Sequence, residues 1–125
     1  MVAYNFQKRF AGDVESFRKR QTIRAKRKSR HARAGEAVQL YTGMRTRSCR
    51  KLIDPDPVCE LSTSCAIREE GITLGNHAHV DLDEFARADG FADFDDMKAW
   101  FRDTHGLPFI GQLIRWRPGS QGSSA

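Results

Sequence analysis

Apolar residues recur along the chain with two different spacings, and the switches between them divide it into short elements. Val2 to Phe6 has the β-branched and aromatic content of a strand, and Arg9 to Phe17 then sets Phe10, Val14 and Phe17 at helical spacing. Side chains alternate along Gln21 to Arg24, which puts Thr22 and Arg24 on one face and Ile23 on the other, core-facing one. Ala25 to Ala34 has no apolar period and ends at Gly35, so it reads as a long loop. Glu36 to Thr42 returns to strand, with Val38 and Leu40 against Gln39 and Tyr41, and Gly43 closes it. Short strands follow at Leu52 and Ile53, Val58 to Ile67, Ile72 to Leu74 and His77 to Val80, separated by Pro55, Pro57, Gly71 and Gly75. That rhythm predicts a small barrel rather than an open parallel sheet.

Two helices come next. Asp81 caps the first, with Glu84 three residues on as in a capping box, Phe85 on the buried side and Gly90 as the stop. Asp93 caps the second, which runs through Met97, Trp100 and Phe101 and ends before Gly106; Phe109 to Trp116 is the last strand. The expected fold class is α+β: a small β-barrel of about five to six strands flanked by two or three helices. At 125 residues there is room for one core, so residues 1–118 are expected to form a single domain and 119–125, GSQGSSA, a flexible tail.

With 39% hydrophobic and 30% charged residues the chain is too apolar to be wholly disordered. No window approaches ~18 consecutive apolar residues, and MVAYNFQKRF lacks the apolar stretch of a signal peptide, which predicts a cytoplasmic protein with no membrane partner. Cys49, Cys59 and Cys65 are odd in number, so a disulfide framework is not expected. The spacings within Cys59, Cys65, His77 and His79 match no compact zinc knuckle, and no metal or other cofactor is predicted. Phosphate-loop, GxSxG and HExxH signatures are absent.

Charge is divided unevenly. Residues 1–51 carry a net +12 and residues 52–125 a net −7, within an overall +5. Much of the acidic half falls at helix starts, where the helix dipole favours it. Arg18, Lys19, Arg20, Arg24, Lys26, Arg27, Lys28, Arg30 and Arg33 follow one another without a carboxylate. Such a run repels itself unless solvent or a polyanion relieves it, which points to nucleic acid as partner. Tyr41, on the polar side of its strand near Arg45 and Arg47, is placed to stack a base. Phe85, Phe91, Phe94, Trp100 and Phe101 recur at core-facing spacing and are assigned to packing of the helices on the barrel.

The segment with chemical content is Arg9 to Arg24, where Lys19, Thr22 and Arg24 form K-x-x-T-x-R. Lys19 lies in the turn before the strand, from which its side chain can fold over the face that Thr22 and Arg24 share. An amine whose proton affinity is lowered by Arg18, Arg20 and Arg24 can accept the threonine proton and activate the hydroxyl as a nucleophile. The plainer alternative is an ordinary strand threonine beside a surface turn lysine.

The order YNFQKRF, helix, KRQTIR, basic loop, GEAVQLYTGMR, short strands, DLDEFARADGF and MKAWF resembles the ASCH family, from Tyr4 to Trp116. YTG and DGF look most like its small bacterial or prophage members. The resemblance implies a PUA-like barrel whose cleft takes RNA or a nucleobase. Some members of this size remove the acyl group from N4-acetylcytidine with a lysine, a threonine and a glutamate. Lys19 then falls on the activator and Thr22 on the nucleophile, while the acid falls at or next to Asp89, one methylene shorter than glutamate, with Glu84 as the nearby alternative. The carboxylate would hold Lys19 and bond the exocyclic amine of a cytosine. Phe17 stands where many relatives have glycine, and the arginine-rich loop implies a more RNA-directed surface. The functions in view are recognition of RNA or a modified nucleoside with acyl-amide hydrolysis on cytidine, a non-catalytic RNA-binding module, and a ribonuclease. Arg18, Arg20, Arg24, Lys26, Arg27, Lys28, Arg30, Arg33, Tyr41 and Arg45 are the expected nucleic-acid contacts.

Overall fold

The computed structural model describes residues 2–78 and 81–119, so the predicted strand end at His79 and Val80 and the tail beyond Gly119 lie outside the described residues. Its elements are β1 (Val2–Phe6), α1 (Lys8–Glu15), β2 (Gln21–Arg24), β3 (Val38–Thr42), β4 (Arg50–Lys51), β5 (Val58–Ile67), β6 (Ile72–Leu74), β7 (His77–Ala78), α2 (Leu82–Ala88), α3 (Phe94–Thr104) and β8 (Phe109–Arg117). The fold is α+β, with three helices and two sheets among the described residues, in the orders β1-β3-β4 and β2-β8-β5-β6-β7. β1 and β3 run parallel, and the other pairs are antiparallel.

Strand pairing does not close into a barrel among the described residues. The two sheets meet at one corner, where Ala37 bridges Val58, Val38 N–H donates to the Pro57 carbonyl at 2.9 Å and Cys59 N–H donates to the Glu36 carbonyl at 2.8 Å. Eight strands stand among the described residues where a barrel of about five to six was expected. β4, two residues long, is too short to carry a period and was not predicted, whereas β7, also two residues, falls at the start of the predicted strand His77 to Val80. The apolar pair Leu52 and Ile53, predicted as a strand, instead lies just beyond β4 as buried chain, with Leu52 N–H on the Leu40 carbonyl at 2.8 Å.

β8 organises the larger sheet. It pairs with β2 on one side and with all of β5 on the other, and its Leu113, Ile114 and Trp116 are wholly buried. Trp116 meets Phe6 of β1 edge-on at 5.8 Å, which joins the sheets through the core. Gly111 is required where β2 crosses β8, because a Cβ there would run into the Arg24 carbonyl.

The helices follow their caps. Asp81 accepts from Glu84 N–H and Asp93 from Asp96 N–H, each at 2.9 Å, as the sequence predicts. Asp83 accepts from Phe94 N–H at 2.9 Å and so ties the start of α2 to that of α3. These acidic side chains satisfy backbone donors that helix starts leave unpaired. No helix among the described residues is long and apolar enough to cross a membrane. Cys49, Cys59 and Cys65 are all free thiols.

Candidate functional site

After α1 the chain turns back on itself. Phe17 sits at φ 62, in the left-handed region that favours glycine, and Lys19 N–H bonds the Asp13 carbonyl at 2.9 Å. Phe17 thus occupies with a bulky side chain a conformation glycine would take without steric cost, and its ring packs against the core. The turn sends Lys19 inward: it is only 4% exposed, the opposite of a surface turn lysine.

Inside, Lys19 meets the end of α2. Its Nζ donates to the Asp89 carbonyl oxygen and lies 3.5 Å from Asp89 Oδ2. Asp89 is the residue after α2, and Gly90, at φ 92, turns the chain there. The Lys19 stem runs so close that a Cβ on Gly90 would stand 3.1 Å from Lys19 Cδ. Gly90→Ala is therefore expected to lower stability by about 1–2 kcal/mol through strain and crowding, measured by urea denaturation. Unchanged stability would mean that the turn relaxes freely.

Lys19 and Asp89 are buried together, and burial governs both. It pulls the Lys19 amine below its ordinary range, against the attraction of Asp89 and with the help of Arg24. It pushes the Asp89 carboxyl up to about 6, against Lys19 and the hydrogen bond from Gln21. Arg18 and Arg20, expected to supply cations around Lys19, are exposed instead; desolvation is the main cause, and Arg24 the neighbouring cation that adds to it. Three ring faces surround the ammonium, Phe10 at 4.9 Å, Phe6 at 5.8 Å and Phe91 at 5.9 Å, and offset part of the lost hydration.

Both faces of β2 are covered, because the face opposite the core looks into a cavity. Gln21, Thr22 and Ile23 are buried and Arg24 is half-buried. Arg24 Nε donates to Thr22 Oγ1 at 2.8 Å, and its Nη2 donates to the Asn5 carbonyl at 2.7 Å. Stacked over Phe6 and Tyr4, Arg24 is pushed by burial down to about 10, still a cation at neutral pH. Among the described residues no hydrogen bond joins Thr22 to Lys19, although both line the same cavity.

That cavity measures about 230 Å³. Lys19, Thr22, Arg24 and Asp89 line it together with Asn5, Phe6, Phe10, Phe91, Trp100, Phe101, His105 and Phe109. The three predicted catalytic residues are thus brought together. Glu84 is not: it is exposed on the first turn of α2, which leaves Asp89 as the carboxyl of the site. Phe91, Trp100 and Phe101, assigned to packing alone, also form cavity wall.

The predicted nucleic-acid contacts divide. Arg18 pairs with Asp13 at 3.3 Å, Arg30 with Glu36 at 2.6 Å, and Arg24 belongs to the cavity. Tyr41 is half-buried opposite Lys51 in the β3–β4 ladder, and Arg27 stacks over Tyr4 at 4.8 Å. Arg20, Lys26, Lys28, Arg33 and Arg45 are exposed with no ion pair among the described residues. The basic loop is anchored rather than free: Tyr4 Oη bonds His31 Nδ1 at 3.0 Å and accepts from Ala32 N–H at 3.1 Å.

Two residues the sequence reading passed over complete the site. Gln21 bonds Asp89, and Arg115 bonds Gln21. Gln21 shares the core face of β2 with Ile23, so a buried amide in need of partners was a readable signal; the Gln21–Arg115 register was not. No family model, curated protein or solved structure matches the chain.

Proposed function

We propose that the cavity receives a nucleobase carrying an acylated exocyclic amine, as in an N4-acylcytidine, and hydrolyses the amide, with the exposed basic loop binding the surrounding RNA. The observation that carries this reading is the opening of Lys19, Thr22, Arg24 and Asp89 onto one cavity with aromatic walls. The resemblance to ASCH domains agrees with it, and two sheets meeting at a corner are compatible with the PUA-like barrel of that family. A cavity of about 230 Å³ suits a single ring with a short acyl group better than a large ligand.

In the proposed chemistry Thr22 Oγ attacks the acyl carbon while its proton passes to the Lys19 amine, whose burial favours the neutral, accepting form. The oxyanion of the tetrahedral intermediate forms beside the Arg24 guanidinium. Collapse breaks the C–N bond, and the amine leaves with a proton from the Lys19–Asp89 pair. Water then attacks the Thr22 ester, gives a proton to Lys19, and releases the carboxylic acid with the hydroxyl restored. Substrate entry must turn Lys19 Nζ towards Thr22, a contact that unliganded sites often lack. The deciding experiment is incubation of the protein with N4-acetylcytidine, free and within an oligonucleotide, with release of acetate as the readout.

The Thr22–Arg24 hydrogen bond, in place of one to Lys19, favours a second reading in which the cavity binds the base without turnover. Tight binding of acetylcytidine with no acetate released would select it. For the RNA surface, changing Lys26, Lys28 and Arg33 together to Ala is expected to lower the salt dependence of single-stranded RNA affinity. The slope should fall by about 2, since each phosphate contact contributes roughly 0.7. An unchanged slope would reduce the loop to a solvated surface.

A further inference from the structure

Gln21 is a fully buried polar side chain beside the site that the proposed chemistry leaves unused. Its contacts fix which end of the amide points where. Arg115, its partner in the β2–β8 register, donates to Gln21 Oε1 from Nε at 3.1 Å and from Nη2 at 2.8 Å. A guanidinium has five N–H donors and no acceptor, so only the carbonyl end of the amide can face it. The NH₂ end therefore turns towards α2, where it donates to Asp89 Oδ1 at 3.4 Å and to the Phe85 carbonyl at 3.5 Å. A donor aimed at Oδ1 keeps that oxygen an acceptor whether or not the carboxyl is protonated.

We propose that Arg115, acting through Gln21, confines the exchangeable proton of Asp89 to Oδ2, the oxygen 3.5 Å from Lys19 Nζ. Gln21 and Arg115 are then positioning residues: neither meets the substrate, yet together they aim the carboxyl proton at the amine that must lose and regain one. The exchange conserves atoms and charge, since the O–H bond at Oδ2 breaks as an N–H bond forms on a neutral Lys19, leaving carboxylate and ammonium. Only the catalytic consequence rests on the amide-hydrolysis reading; the placement of the proton does not.

Other groups act on Asp89 as well. Lys19 faces it from the turn before β2, Arg24 acts from β2, and Cys65 lies within range on β5 as a thiol that burial pushes up to about 12. Arg115, on β8, also carries charge, so its hydrogen-bonding role must be separated from simple attraction at a distance.

The test is the titration of the Asp89 carboxyl by carbon-13 NMR in the intact chain, without substrate. Gln21→Leu is expected to raise the midpoint, with proton affinity increasing about threefold to tenfold, because a hydrogen bond to the charged form is lost. Arg115→Gln should raise it too, since the released amide can present its carbonyl to Oδ1. Introduced into Gln21→Leu, Arg115→Gln should add nothing further. In the wild type, the Gln21 side-chain amide resonances should shift with the Asp89 midpoint, a readout that survives if Gln21→Leu does not fold. An unmoved midpoint in Gln21→Leu, additive effects of the two substitutions, or a Gln21 amide indifferent to the titration would each overturn the proposal. Absence of deacylation alongside the expected titrations would remove the amidohydrolase reading and leave the proton placement standing.

Discussion

Thr22→Ala is expected to slow deacylation of an N4-acylcytidine by about 10⁴-fold or more, while cytidine still binds and the chain still folds. The size follows from the role: without the hydroxyl no acyl ester can form, and what remains is polarisation of the amide by Arg24 and general-base help from Lys19 to a water molecule. The structural cost should be small by comparison. Thr22 Oγ1 accepts one hydrogen bond, from Arg24 Nε, and Arg24 keeps its second anchor on the Asn5 carbonyl, so a loss of about 1 kcal/mol in stability is expected. Thr22→Ser should preserve the chemistry, because the hydroxyl stays. Comparison of kcat for the three proteins decides the matter: full activity in Thr22→Ala would remove the nucleophile from the mechanism.

Of the three residues proposed as catalytic, Lys19 and Thr22 could be singled out from the sequence because their relation is local. The K-x-x-T-x-R spacing follows from strand alternation and a turn, whereas Asp89 was reached only through the resemblance to ASCH domains, with Glu84 as the alternative. Val58 to Ile67 and Ile72 to Leu74 were legible to the residue, since each is bounded by turn residues and long enough to show a strand composition. What was illegible depends on pairing between distant segments. Nothing in positions 21 and 115 taken separately says that Gln21 meets Arg115, and β4 falls on Arg50 and Lys51, whose polar side chains carry no strand signal. The aromatic residues show a further limit. Phe91, Trp100 and Phe101 have core spacing and are core by packing, yet the same rings bound the cavity, because a cavity in a small domain has to be cut from its core.

Lys19→Met is expected to destabilise the fold by about 3–5 kcal/mol at pH 7, because it leaves Asp89 buried with no opposing charge at Oδ2. Lys19→Met combined with Asp89→Leu should recover most of that loss, since a buried pair replaced by apolar side chains of similar size no longer has to be stripped of water. The pH dependence carries the sharper sign. The folded pKa of Asp89 lies above its ordinary 3.8, at about 6, so the stability it contributes is full below about pH 4 and is lost as pH rises through 6. The gap corresponds to about 3 kcal/mol. Lys19 is depressed, so its contribution is present above 10.5 and is lost as pH falls through its folded value. The Asp89 contribution is therefore missing around neutrality, where a carboxyl that burial pushes up has lost its proton. Urea denaturation should find the doubly substituted chain gaining on the wild type as pH rises from 4 to 7; a constant difference would mean that Asp89 titrates like an exposed carboxyl. A fold that buries this carboxyl beside an amine gives up stability at the pH where the proposed mechanism needs a base for Thr22.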